Sequence, residues 1–149
     1  MGTLESIHAF TSVQHVAVVG VSNNAKKFGS LIFRHLVKSG YTVYPVNPAM
    51  EYFDGVPCYP SVTALPADVQ AAVIVTSPSV TLQVLHELEH TNIPNIWIQQ
   101  GAEDAAVKSY LASLNLNAIW GRCIFMFTRP KGIHKFHEFL SKVSGCYPK

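Results

Sequence analysis

The sequence predicts a doubly wound α/β domain, a five-stranded parallel sheet with helices on both faces, and three observations carry that prediction. Short runs at 15–20, 41–46, 71–75, 95–98 and 118–120 are apolar along most of their length rather than at alternate positions, as in strands covered on both sides. Most are separated by segments whose apolar residues recur at helical spacing, the alternation of a parallel sheet. The runs end in turn formers or polar residues, at Gly20, Asn47, Thr76, Gln99 and Gly121. Crossovers between parallel strands are right-handed, so the loops at these five positions open on one edge of the sheet, and a ligand belongs at the switch point there.

In order along the chain, Thr3 caps a short helix carrying Leu4, Ile7 and Phe10, and the first strand, 15–20, runs into a polar loop at 21–27. Phe28, Ile32, Phe33, Leu36 and Val37 then follow helical spacing, and Gly40 closes that helix. The second strand stops at Asn47-Pro48, and an irregular stretch holding Gly55, Pro57 and Pro60 continues to Pro66. After the third strand, Thr76-Ser77-Pro78 opens a helix expected to reach about Thr91, with Ser77 or Ser79 as its cap. The fourth strand leads through Gln99-Gln100-Gly101 to a helix whose first turn carries Glu103 and Asp104, favourable beside the positive end of the dipole, and whose apolar stripe is Val107, Leu111 and Leu114. The fifth strand precedes Gly121-Arg122-Cys123, and an amphipathic helix is expected at 132–144, closing the sheet's edge. Trp97 and Trp120 lie inside apolar runs and are assigned to the core.

The 149 residues are 48% hydrophobic and 13% charged, which excludes a disordered tail and suits one domain, 1–149, with its own core. Lys and Arg number 11 against 9 Asp and Glu, and the formal charge of +2 is too small and scattered to draw the chain onto nucleic acid or an anionic membrane. No run reaches the length of a membrane span, and the N-terminus has no basic region followed by an apolar one. Cys58, Cys123 and Cys146 lack CxxC spacing and fit neither a disulfide framework nor a four-thiolate zinc site, so a reducing, cytoplasmic setting is expected. Residues 1–6 match the loose myristoylation pattern at Gly2, but no polybasic second signal follows. Low charge and abundant apolar residues leave room for a homodimer.

The first loop sets Val21, Ser22, Asn23, Asn24, Lys26 and Lys27 just before a helix N-terminus, where free N–H groups and the dipole attract phosphate. The same composition also suits a simple turn. A nicotinamide dinucleotide would call for G-x-G-x-x-G and an acid ending the second strand. Neither is present: that strand ends Tyr44-Pro45-Val46-Asn47-Pro48, with no acid before Glu51.

Five stretches in this order resemble a known family: Val16 to Ser22, Gly40 to Pro48, Gly55 followed by Tyr59-Pro60-Ser61-Val62, Trp97 to Gly101, and Arg122-Cys123-Ile124. Over residues 13–124 the chain is similar to the small single-domain CoA-binding proteins, whose Rossmann-like fold is shared with the CoA-binding domain of the succinyl-CoA synthetase α subunit. The resemblance implies CoA or an acyl-CoA as ligand, with Gly20, Val21 and Ser22 lining the pyrophosphate, Asn47 and Pro48 the adenosine end, and Thr76, Ser77 and Pro78 the opposite wall. Lys27 resembles the basic residue of the family's first loop, and Lys26 is an equal candidate. Gln99, Gly101 and Cys123 are placed with the same cleft. The synthetase α subunit usually carries a lysine shortly after the second strand, where this chain has Ala49-Met50-Glu51, so the 3′-phosphate is left without an assigned partner. The synthetase's phosphohistidine belongs to a further domain, so none of its ligase chemistry carries over and no catalytic residue is assigned.

Other constellations compete for attention. His86-Glu87-Leu88-Glu89-His90 satisfies H-E-x-x-H, but it falls on a crossover helix whose polar face is expected to meet solvent away from the cleft, and no third ligand is at hand. Cys123 follows the fifth strand and is expected to approach Ser22, where thiol or acyl chemistry with CoA is one reading and a small buried side chain the other. His134 and His137 lack a third ligand. The alternatives to a CoA-binding protein are therefore a regulatory module responding to NAD(P) or another adenine nucleotide, and chemistry at Cys123.

Overall fold

Five strands pair in parallel because each carries apolar side chains on both faces, and the computed structural model, which describes residues 3–128, shows both faces covered. The helix expected at 132–144, the histidines on it and Cys146 lie outside the described residues, as does Gly2. In chain order the elements are α1 (Leu4–Thr11), β1 (His15–Val19), α2 (Phe28–Lys38), β2 (Thr42–Val46), a hairpin of β3 (Tyr52–Phe53) and β4 (Val56–Pro57), β5 (Ala71–Ile74), α3 (Pro78–Leu88), β6 (Asn95–Gln99), α4 (Ala105–Ala112) and β7 (Asn117–Arg122). The main sheet runs β2-β1-β5-β6-β7. This is the doubly wound, Rossmann-like α/β class that the sequence predicts.

β1 shows how one strand serves two cores. Val16 and Val18 pack with Ile7, Phe10, Ile32, Phe33 and Leu36 of α1 and α2, whereas Ala17 and Val19 face Val84, Leu85 and Leu88 of α3 and Val107 and Leu111 of α4. Each fully buried Leu, Ile or Phe is worth roughly 1.5–3 kcal/mol, so both layers are held mainly by this burial. Trp97 is fully buried, with Phe10 edge-on at 5.4 Å, and its indole N–H donates to the Arg122 carbonyl at 3.2 Å. Trp120, also expected in the core, is half-buried against the α3 and α4 layer.

Helix ends follow local chemistry, with three differences from expectation. Thr3 caps α1 by accepting from the Ser6 N–H at 3.1 Å. Asp104 is the cap of α4 rather than part of its first turn, accepting from the Val107 N–H at 2.9 Å. α3 stops at Leu88 instead of Thr91, because the Thr91 N–H and hydroxyl both bond the Leu88 carbonyl, at 3.0 and 2.8 Å. Ser77 occupies the cap position of α3, but its hydroxyl faces that of Ser79 at 3.5 Å and caps nothing.

The stretch read as irregular contains the β3–β4 hairpin. Asp54 and Gly55 both have positive φ, 52° and 82°, as a two-residue type I′ turn requires. The hairpin lies on α2 through Phe53, edge-on to Phe33 at 4.9 Å, with the Arg34 guanidinium 5.7 Å from the Phe53 ring and 3.5 Å from Asp54.

The edge of the sheet at the C-terminal ends of β1 and β5 is fixed by a close approach of backbones. A Cβ on Gly29, in the first turn of α2, would lie 2.1 Å from the Gly20 carbonyl oxygen, and one on Gly20 (φ +111°) would lie 2.5 Å from the Val75 carbonyl oxygen. Gly29→Ala is therefore expected to cost about 2–3 kcal/mol, as overpacking against backbone does. Gly40→Ala, at φ +97° in open space, should cost only about 1 kcal/mol. Urea midpoints at unchanged m-value measure both, and equal costs would show that α2 can slide off the loop.

Candidate functional site

The switch point lies between β1 and β5: the chain leaves β1 for α2 on one face and β5 for α3 on the other. Two cavities open there. The larger, of about 380 Å³, is bounded by Val46, Asn47 and Pro48 after β2, by Pro60, Ser61 and Val62, and by Val80, Gln83, Val84 and Glu87 on α3. The smaller, of about 300 Å³, is bounded by Ser22, Lys27, Phe28 and Gly29 at the start of α2, by Val75, and by Gly101 and Ala102 after β6. Gly20 and Thr76 belong to both and form the waist between them.

The two cavities differ in charge. Lys27, the residue just before α2, lines the smaller one, where the helix's first N–H groups also lie. Among the described residues, Glu87 is the one charged side chain lining the larger one. The sequence reading set the face of α3 that carries Glu87 toward solvent. The correction follows from helical spacing: Val80, Gln83, Val84 and Glu87 fall at i, i+3, i+4 and i+7 and form one stripe along the cavity wall.

Of the residues singled out from sequence, Gly20, Ser22, Lys27, Asn47, Pro48, Thr76 and Gly101 line one cavity or both. The Lys26 side chain is exposed and lines neither cavity. Val21 is buried in the layer of α1 and α2, so only its backbone can face the cleft. Ser77, Pro78, Gln99 and Cys123 line neither cavity. Cys123 follows edge strand β7, which β5 and β6 separate from β1, and there the buried Gln99 amide donates to its sulfur at 3.2 Å and accepts from the Ile124 N–H at 3.1 Å. Gln99 thus ties the ends of β6 and β7 together. Pro60, Ser61 and Val62 and the stripe on α3 are the lining residues that sequence reasoning missed, although the spacing of Val80 and Val84 was a usable signal.

H-E-x-x-H is broken up by the end of α3. His86 stays on the helix, with its ring nitrogen 2.9 Å from the Tyr110 hydroxyl and 3.9 Å from Glu89, while His90 lies past the cap. Among the described residues no group of three His, Cys, Asp or Glu is arranged to hold a metal ion.

Polar side chains lock the loops that shape the cleft. The buried Ser30 hydroxyl donates to the Ser22 carbonyl at 2.6 Å and accepts from the Ser22 N–H at 3.3 Å. The Asn47 amide donates to the Val21 carbonyl at 2.7 Å, and its oxygen accepts from the Ala49 N–H at 2.8 Å. Burial pushes the Cys58 thiol pKa up, partly opposed by a backbone hydrogen bond at Asn47. Asn47→Ala leaves both backbone partners of that amide unmatched and is expected to cost about 1–3 kcal/mol in urea unfolding. Hydrogen exchange at the Ala49 amide should rise in the same variant, and unchanged exchange there would mean that the loop is held by other contacts.

A family model described as a CoA binding domain matches residues 14–129. The α subunit of ADP-forming acetate–CoA ligase II from Pyrococcus furiosus is 36% identical over 90 residues, 60% of this chain and 20% of that subunit. A conserved hypothetical protein from Pyrococcus furiosus has a solved structure that superposes with a TM-score of 0.71 at 38% identity, covering 74% of this chain and 96% of that one. Dinucleotide-forming acetyl-coenzyme A synthetase 1 from Ca. Korarchaeum cryptofilum, solved with phosphate and ADP, superposes with a TM-score of 0.63 at 28% identity, covering 79% of this chain and 27% of that one. This chain spans only 14% and 20% of the first two curated relatives it matches, so it is similar to one region of those ligases. With the family model covering the parallel sheet and the loops at its ligand-facing edge, the chain belongs to the family of CoA-binding domains.

Proposed function

We propose that the chain binds coenzyme A or an acyl-CoA across the two cavities at the switch point, as a binding module with no reaction assigned to it. The observation that carries this reading is the pairing of two adjacent cavities that share Gly20 and Thr76 in a chain of this family. An extended nucleotide has that outline. Its pyrophosphate would cross the waist beside the Gly20–Ser22 backbone, near the N-terminus of α2 and the Lys27 ammonium. Its adenosine would occupy the larger cavity, where Val46, Pro48, Pro60, Val62, Val80 and Val84 supply apolar walls for a flat ring. The pantetheine arm would leave through the smaller cavity past Ala102. The absence of an acid at Asn47 disfavours NAD(P), for which a carboxylate on the ribose hydroxyls is the usual device.

Calorimetric titration with CoA and with NAD, at fixed salt and with reductant, tests the reading. Saturable CoA binding that NAD does not displace is expected, and no CoA binding would overturn it. Lys27→Ala should weaken CoA binding about fivefold, the worth of one cation near a helix N-terminus. Lys26→Ala should change it less than about twofold, and the reverse order would transfer the phosphate contact to Lys26.

A further inference from the structure

Glu87, the glutamate that follows His86 in the broken H-E-x-x-H run, stands in the cleft. Glu87 is half-buried on the last turn of α3 and lines the larger cavity beside Gln83 and Ser61. Its carboxylate has no ion pair among the described residues, whereas the nearby Glu89 is occupied with His86 at 3.9 Å. Among the described residues no lysine or arginine lines that cavity. Lys27, with the helix N-terminus, is on the other side of the waist. Among the described residues the cleft is thus polarised along its length, with Lys27 and the start of α2 at the smaller cavity and Glu87 at the larger one.

We propose that Glu87 is a specificity-determining residue that disfavours a phosphate at the ribose end, so that the larger cavity takes a nucleoside with free ribose hydroxyls. The preferred ligand class is then an adenosine 5′-diphosphate ester of pantetheine, the dephospho-CoA type, with CoA itself bound more weakly. A carboxylate there repels a phosphate dianion in the same partly desolvated space, whereas a nucleoside without that phosphate meets no such repulsion. This inference rests on the reading of the cleft as a CoA site and specifies which form that site selects.

The test compares dissociation constants for CoA and dephospho-CoA in the full chain and in Glu87→Gln, Glu87→Lys and Glu89→Gln, at low and high salt. The unaltered chain is expected to favour dephospho-CoA. Glu87→Gln should shift the ratio toward CoA by about fivefold, chiefly by tightening CoA, and the shift should shrink at high salt. Glu87→Lys should shift it further, and Glu89→Gln, outside the cavity, should leave it unmoved. A ratio favouring CoA in the unaltered chain, or one indifferent to residue 87, overturns the assignment while the CoA reading stands. If neither compound binds, the CoA reading falls and the role of Glu87 falls with it.

Discussion

The structure depends on the approach of three backbones at one point: the Gly20 loop, the first turn of α2 at Gly29, and the end of β5 at Val75. Neither of the two contacts that join them leaves room for a Cβ, which is why glycine stands at both ends of the loop. This proximity brings the N-terminus of α2 against the strand ends instead of a side chain's width away. It also sets the waist of the cleft, since Gly20 and Thr76 are what remain exposed where the backbones meet. Everything placed around the waist inherits that geometry, from the cation at Lys27 to the apolar walls on α3.

Close packing of main chain creates a second requirement, because loops pressed against one another must satisfy their N–H and C=O groups locally. Three side chains do this at the ligand-facing edge. Ser30 reaches back to both polar groups of Ser22, Asn47 bridges Val21 to Ala49, and Gln99 joins Cys123 and Ile124 to the end of β6. Each is the kind of residue a search for binding groups selects, and each is committed to the scaffold. What they contribute to a ligand is shape: loops held in one conformation before the ligand arrives need less ordering on binding.

The fold was legible because its determinants are local. Apolar runs without alternation gave the buried strands, the spacing from Phe28 to Val37 gave α2, and Thr3 and Gly40 marked helix ends within a few residues. The cleft was legible only in part, because position in a loop tells which residues are near the edge but not which way they turn. Asn47 and Lys27 reach the cavities, while Gln99 and Cys123, equally placed by sequence, turn to one another at the edge of the sheet. The stripe on α3 was missed for a different reason. Its groove exists only because the segment at Pro60–Val62 folds back beside the helix, and that segment follows a hairpin read as irregular, although Asp54-Gly55 carried the turn signal.

Charge placement separates attraction from selection along the cleft. The positive end of α2 and Lys27 act on whatever anion reaches the waist, and that pull is common to every phosphate-bearing nucleotide. Discrimination falls to the cavity farther along, where the walls are largely apolar and Glu87 is the one charged side chain among the described lining residues. In such a site a single unpaired group counts for more than several exposed ones, since solvent screens it less and no partner competes for it. Reading the two charges together also sets the ligand's direction, with its phosphates toward α2 and its nucleoside along α3. The opposite orientation would keep the pyrophosphate at the waist but lay the pantetheine arm along Glu87 and set the nucleoside beside Lys27.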